Sequence, residues 1–446
     1  MKNYMRKWII LLGSIFFIHQ HLLAWNLHTL IAEPVFSSMS EVTSSDSVRV
    51  TSIEDFLLAV EQELEVALSH EEQWAHKNLD YYMPLPAELA FHATGKPEDI
   101  RQRFIKAIRL NPDSKLISYL QLLPGDDPGN DTILKPGDIT PLKKTNWLEN
   151  VIFIGLNNGD LVDPLSVLVT ANDEPDMALD IGLYENNNTE AGKIYGFGNQ
   201  SFGNPNLEYS SQAPFHMGLY HEAKLVNTLA PFVQECYPEY RIHLYKSLSE
   251  LAFSVGQDYW GWRFMGWGLH YIADLAQPYH TSALPGIGTT KMILMNVLDM
   301  MGSSKMKDKS IQLVSNRHTA IEALERQLLE KAYWEQDIDY LHFQSLRAPI
   351  TVPTYSDSTC RLMLAEKSNR HAKKLDRIIA KSMPTQLVSD PHFELGTSEK
   401  QYEILSIVME SNNPASLIIL ETELNELLKM FSSYGRSYVL SILSNG

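Results

Sequence analysis

The amino-acid sequence predicts an all-α protein, a multi-helix single domain with long loop insertions, and three observations predict it. Apolar residues recur at helical spacing over long stretches, no run of alternating strands is found, and no repeat of fixed period marks a solenoid. With 446 residues, 44% of them hydrophobic and 20% charged, the chain can bury a large core.

In chain order, the first segment stands apart from that fold. MKNYMRKWIILLGSIFFIHQHLLA carries Lys2, Arg6 and Lys7 ahead of an apolar run from Trp8 to Ile18, the shape of a cleaved signal peptide over residues 1–24. The run breaks at His19, Gln20 and His21, short of the roughly 20 apolar residues a membrane anchor needs, so the mature chain is expected to be secreted, extracellular or periplasmic. A Ser/Thr-rich connector, SSMSEVTSSDS, leads to Thr51 with Glu54 three residues on, a capping box that opens a helix continued by Phe56, Leu57, Val60, Leu64 and Leu68. The same rhythm predicts helix in 100–123 and 224–256. Two stretches rich in Gly, Asn, Pro and Ser, 125–144 and 184–212, are expected as long loops. Near the end, Asn413 and Pro414 suit a cap and first helical position, and Leu417, Leu420, Leu424, Leu427 and Phe431 form one apolar stripe for the core. Residues 331–446 are therefore expected to complete the domain 25–446 in helices.

Removal of residues 1–24 moves the net charge from −17 to −20, because three basic and no acidic residues are lost. Such a surface repels nucleic-acid phosphates and does not attract anionic membranes, so nucleic acid is not an expected partner. Bound divalent cations would reverse the sign locally in a cleft. Cys236 and Cys360 lack metal-site spacing and neither reads as catalytic; whether they pair is open.

The chemistry concentrates in WGLHYIADLAQPYHT, residues 267–281. His270 and Asp274, four apart, share one helix face about one turn from each other and can share a metal. His280 on a straight helix would lie roughly 15 Å from His270 along the axis, at about 1.5 Å per residue. Pro278 removes a helical hydrogen bond and bends the chain, which can aim His280 at a second ion beside the first. Downstream, NRHTAIEALERQLLE places His318 and Glu322 four apart on another helix. With His280 they make two imidazoles and one carboxylate, the composition of a catalytic zinc that keeps an open position.

His-x3-Asp-x3-Pro-x-His followed by His-x3-Glu resembles the metal-binding core of the bacterial zinc-dependent phospholipases C, which include the alpha-toxins; the related single-strand-specific zinc nucleases share the first motif. That resemblance implies an all-helical fold around a cleft holding three zinc ions. It also implies a mature chain beginning with a tryptophan whose amino group and carbonyl chelate zinc: here Trp25, in AWNLHTLIAE, with His28 as its companion imidazole. Carried over in the same way, Asp274 bridges the ion held by Trp25 and His28 and the ion held by His270, and the last ion goes to His280, His318 and Glu322. The resemblance completes the His270 site with an upstream aspartate and histidine, assigned to Asp176 and His216, with Asp173, Asp180 and His221 as rivals. The gap between Asp176 and His216 exceeds the family's usual one, so the Asn/Gly-rich loop is read as an insertion. The short spacing from Trp25 to His28 is nearer the nuclease pattern, whereas Glu322 stands where nucleases more often use Asp.

The function this implies is hydrolysis of the glycerol-side phosphodiester of a phosphatidylcholine-like lipid at a membrane or micelle surface, giving diacylglycerol and a phosphorylated headgroup. Clustered zinc ions suit that reaction because they clamp an anionic group and lower the pKa of bound water from 15.7 toward about 7. Asp176 would orient that water and take its proton. No stable protein partner is expected. The rival readings are a secreted zinc nuclease, which needs the same metals, and a non-catalytic lipid-binding protein stapled by zinc. Structural zinc sites are usually closed and cysteine-rich, unlike this set. The aromatic residues Tyr259, Trp260, Trp262, Phe264, Trp267 and Tyr271 are expected mainly to pack the central helix, one or two being available to wall a choline pocket by cation–π contact.

Overall fold

The computed structural model describes residues 27–411 and 414–444, so the signal-peptide segment, Trp25 and Asn413 lie outside the described residues. It is 61% helical and 3% strand, which makes the protein predominantly all-α in a single domain, as its sequence predicts. The helices that build the site are α1 (Thr29–Phe36), α2 (Pro164–Ala171), α3 (Pro238–Ser254), α4 (Asp258–Ala276), α5 (Pro278–Thr281), α6 (Lys305–Trp334), α7 (Glu366–Ser382) and α8 (Pro414–Leu443). None of the described helices is long and apolar enough to cross a membrane.

Helix α4 is the axis. Every residue from Tyr259 to Ala276 is buried, Arg263, His270 and Asp274 included, so the helix is enclosed on all faces. Helices α2, α3 and α8 pack around it. Contact with α8 is close at Gly268, where any Cβ would collide with the Tyr438 hydroxyl. The aromatic residues of α4 pack this core as expected. Their cation, however, is internal: the Arg263 guanidinium lies 4.6 Å from the centre of a Trp260 ring and pairs with Glu174. The choline-wall role for this cluster is thereby corrected, since each of its rings is at most 3% exposed.

The chain leaves the helix at Gln277 (φ −86°, ψ 120°), and Pro278 begins α5 at a first helical position, where its missing N–H costs nothing. The bend expected at Pro278 is thus a full break and restart. At the C-terminal end, Leu420, Leu424, Leu427 and Phe431 of α8 are completely buried and Leu417 is partly buried against the core. After residue 330 the described residues contain helices and no strand.

Three local expectations need correction. The helix placed at Thr51 starts at Ile53, capped by Ser52, whose hydroxyl accepts from the Asp55 N–H at 3.0 Å; the Thr51 carbonyl instead accepts from the Trp260 indole. The 100–123 helix stops at Ala107. Pro112 disfavours helix at Asn111, Arg109 and Leu116 take left-handed φ of 51° and 48°, and Tyr119–Gln121 forms strand β2. That strand joins β4 (Phe153–Gly155) and β3 (Ile133–Leu134) in an antiparallel sheet of order β2–β4–β3, while β1 (Val48–Arg49) pairs β5 (Leu161–Val162). Stretch 224–256 divides into Lys224–Leu229, a 3-10 turn Pro231–Gln234, and α3. Cys236 and Cys360 are unpaired thiols.

Candidate metal centre

Helix α4 presents His270 and Asp274 on one face, His270 Nε2 lying 3.5 Å from Asp274 Oδ2. His270 Nδ1 donates to the Asn172 carbonyl at 2.8 Å, which fixes its tautomer and leaves Nε2 as a lone pair. Restarting the chain at Pro278 lets α5 swing His280 back toward Asp274, with His280 Nδ1 3.2 Å from Asp274 Oδ1. His280 Nδ1 also donates to the His216 carbonyl at 2.8 Å, so its Nε2 is the free ligand atom, 3.4 Å from Glu322 Oε1. On α6, one turn brings His318 Nε2 within 2.6 Å of the same Glu322 oxygen.

The upstream residues arrive from short elements. Asp176 sits in the 3-10 turn Glu174–Met177, which ends on Ala178 at a left-handed φ of 84°. Gln212 donates to its Oδ1 at 3.0 Å and the Tyr209 hydroxyl bonds to it as well. His216 closes the short helix Ala213–His216; its Nδ1 is 2.9 Å from Asp274 Oδ2, 3.0 Å from His270 Nε2 and 3.8 Å from Asp176 Oδ1. His28, at the start of α1, points Nε2 at Asp274 Oδ1 at 3.9 Å and Nδ1 at Asp173 at 3.6 Å.

Among the described residues, three sets of side chains bring their ligand atoms within 4.8 Å of one another: His28, His270 and Asp274; Asp176, His216 and His270; and His280, His318 and Glu322. All are buried. Ligand atoms on a tetrahedral zinc with bonds of about 2.0–2.2 Å lie roughly 3.3 Å apart, the scale of the separations found here. The donor chemistry fits too, since His280 Nε2 and Asp274 Oδ1 are buried with no hydrogen-bond partner, a cost that a cation would relieve.

Electrostatics divide the carboxylates. Burial would raise the Asp274 carboxyl, but His280, His270 and His216 around it outweigh that and hold it well below the ordinary carboxylate range. Burial lifts Asp176 to about 6 and Glu322 to about 7. It lowers His318 to about 3 and keeps His270 far below its usual value, so both imidazoles offer lone pairs at neutral pH.

The rivals have other partners. Asp173 accepts from the Thr29 hydroxyl at 3.2 Å and from Gln121 at 2.7 Å, so it aims His28 from behind. Asp180 is neutralised by Arg241 at 2.6 Å and receives the Tyr271 hydroxyl. The oxygen that receives Tyr271 also faces His216 Nε2 at 3.6 Å, which leaves Nδ1 of that ring toward Asp274. His221 turns away to the Arg361 carbonyl at 2.7 Å. The sequence reading missed Gln212 and Tyr209, which lie in a stretch taken as loop, and Asp376, whose bonds to the neighbours of two ligands carry no spacing signal. No family model, curated protein or solved structure matches this chain.

Proposed function

We propose that the protein is a secreted zinc-dependent phosphodiesterase of the phospholipase C type, cleaving a phosphatidylcholine-like lipid to diacylglycerol and a phosphorylated headgroup. The observation that carries this reading is the placement of Asp274, one oxygen toward His28 and His280 and the other toward His216 and His270, at 2.9 to 3.9 Å. A carboxylate so placed would serve two ions at once if one were bound on each side of it. The sets contain only His, Asp and Glu, the composition of catalytic sites with open positions.

Zinc at such sites supplies positive charge for the phosphoryl oxygens and a hydroxide nucleophile at neutral pH. Asp176, held by Gln212 and Tyr209 and lifted to about 6, would orient the attacking water and accept its proton. His270 and His318, kept neutral by burial, would offer their lone pairs to a cation without first losing a proton.

A cavity of about 350 Å³, lined by none of the ligand side chains but by both chain neighbours of His28, gives secondary support to lipid over nucleic acid. Its lining includes Leu27 and Thr29, the chain neighbours of His28, together with Leu122, Leu123 and Trp334; among the described residues that line it, the charged ones are Glu149 and Glu330, and none is Lys or Arg. A polyanionic strand needs basic side chains along its path, whereas an apolar chain does not. Trp334, which lines it, is exposed.

The test offers the mature protein phosphatidylcholine vesicles and single-stranded DNA in parallel, with and without chelator. Phosphocholine release that stops on chelation is expected. Nucleotide release without phosphocholine, or no turnover of either, contradicts the proposal.

A further inference from the structure

We infer that Asp376, on α7 in the C-terminal region, is a positioning residue that locks the His280, His318 and Glu322 set by joining the two chain segments that carry it. The inference rests on that set being a metal site and not on the identity of the substrate. Each segment places a tether next to its ligand: Tyr279 precedes His280, and Arg317 precedes His318. The Tyr279 hydroxyl donates to Asp376 Oδ1 at 3.1 Å, and Arg317 Nη1 donates to both Asp376 oxygens at 3.0 and 2.8 Å. Tyr279 also stacks on the His318 ring, 5.1 Å between centres and 9° from parallel. The ring that buttresses one ligand is therefore held by the carboxylate that grips the neighbour of that same ligand.

The rest of α7 reinforces the joint. Asn369 donates to the Thr281 carbonyl at 2.7 Å, and the Thr281 hydroxyl lies 3.1 Å from that of Ser368. Arg317 Nε donates to the Val388 carbonyl at 2.9 Å. The loop after α5 closes onto Asp376 at Gly286, a residue of left-handed φ (76°) where any Cβ would strike the carboxylate. Because α5 and α6 are separate elements, the 3.4 Å between His280 Nε2 and Glu322 Oε1 depends on what fixes one against the other. Partners bonded directly to the ligands typically change metal affinity by about 10–100-fold when removed, and Asp376, bonded to the ligands' neighbours, should act at the lower end of that range.

The experiment compares the full chain with Asp376→Asn, Tyr279→Phe and the double variant, the tyrosine change removing only a hydroxyl. Zinc affinity is read by competition against a chromophoric chelator, site geometry by the visible spectrum of the cobalt(II)-loaded protein, and folding by melting of the metal-free protein. One metal per chain should weaken by about 10-fold with a changed cobalt spectrum, the other metals should be retained, and the double variant should be no worse than the worse single variant. Unchanged affinity and spectrum in both single variants, or a fall in metal-free melting with no site-selective loss, would overturn the inference. A wild-type chain that binds no metal would overturn the reading of the site itself, a result the variants are not needed to reveal.

Discussion

Asp274 is the residue on which the most depends, because its two oxygens face different sets of ligands. Asp274→Asn keeps the shape and removes the charge, so two metals per chain and all detectable hydrolysis should be lost; metal analysis showing full content would refute the bridging role. Glu322→Gln faces only the His280 and His318 set and should cost one metal, the others staying. A metal competes with protons for its ligands. Metal-free, Asp176 and Glu322 release their protons near 6 and 7, so zinc affinity should rise with pH through that window and fall below it. Zinc retention against a fixed chelator, measured from about pH 8 to about pH 5, checks the sign. Spacing and resemblance made His270, Asp274, His280, His318 and Glu322 legible, because both His-x3-acid pairs lie on helices where sequence spacing is spatial spacing. Gln212, Tyr209 and Asp376 were not legible, since tertiary contact alone brings them to the site.

At the scale of elements, periodicity worked where helices are long and buried on one face. The α8 stripe is the clearest case, and each fully buried leucine there is worth about 1.5–3 kcal/mol of transfer free energy. Leu427→Ala should therefore cost about 2–5 kcal/mol of stability, read by denaturant unfolding, without changing which ions the folded protein binds. Caps and breaks were less legible. Thr51 and Ser52 are adjacent capping residues, and the cap falls to Ser52, whose hydroxyl accepts from the Asp55 N–H, while the Thr51 carbonyl is taken by the Trp260 indole. Short strands such as β2 have too few residues for a period to show, and Gln121 gains its place by donating its N–H to the Thr170 hydroxyl on α2.

At the scale of the molecule, the three sets draw on α1, α4, α5, α6, the turn bearing Asp176 and the short helix bearing His216, so a metal bound there would tie distant parts of the chain together. Bound ions should raise stability, by about 2.7 kcal/mol for a site at 100 times its Kd, and chelation should lower the melting temperature. The fold class was legible because helical patterning runs the length of the chain. The exchange of a straight helix for the α4–α5 break was legible only in part, since Pro278 announces a bend but not its direction. The central claim, a metal centre joined by Asp274, is tested most directly by anomalous diffraction at the zinc edge from crystals of the purified mature protein. Three peaks are expected, two of them flanking the Asp274 carboxylate and the third between His280, His318 and Glu322. No peak at these side chains, or a pair of peaks with Asp274 turned away from both, would contradict it.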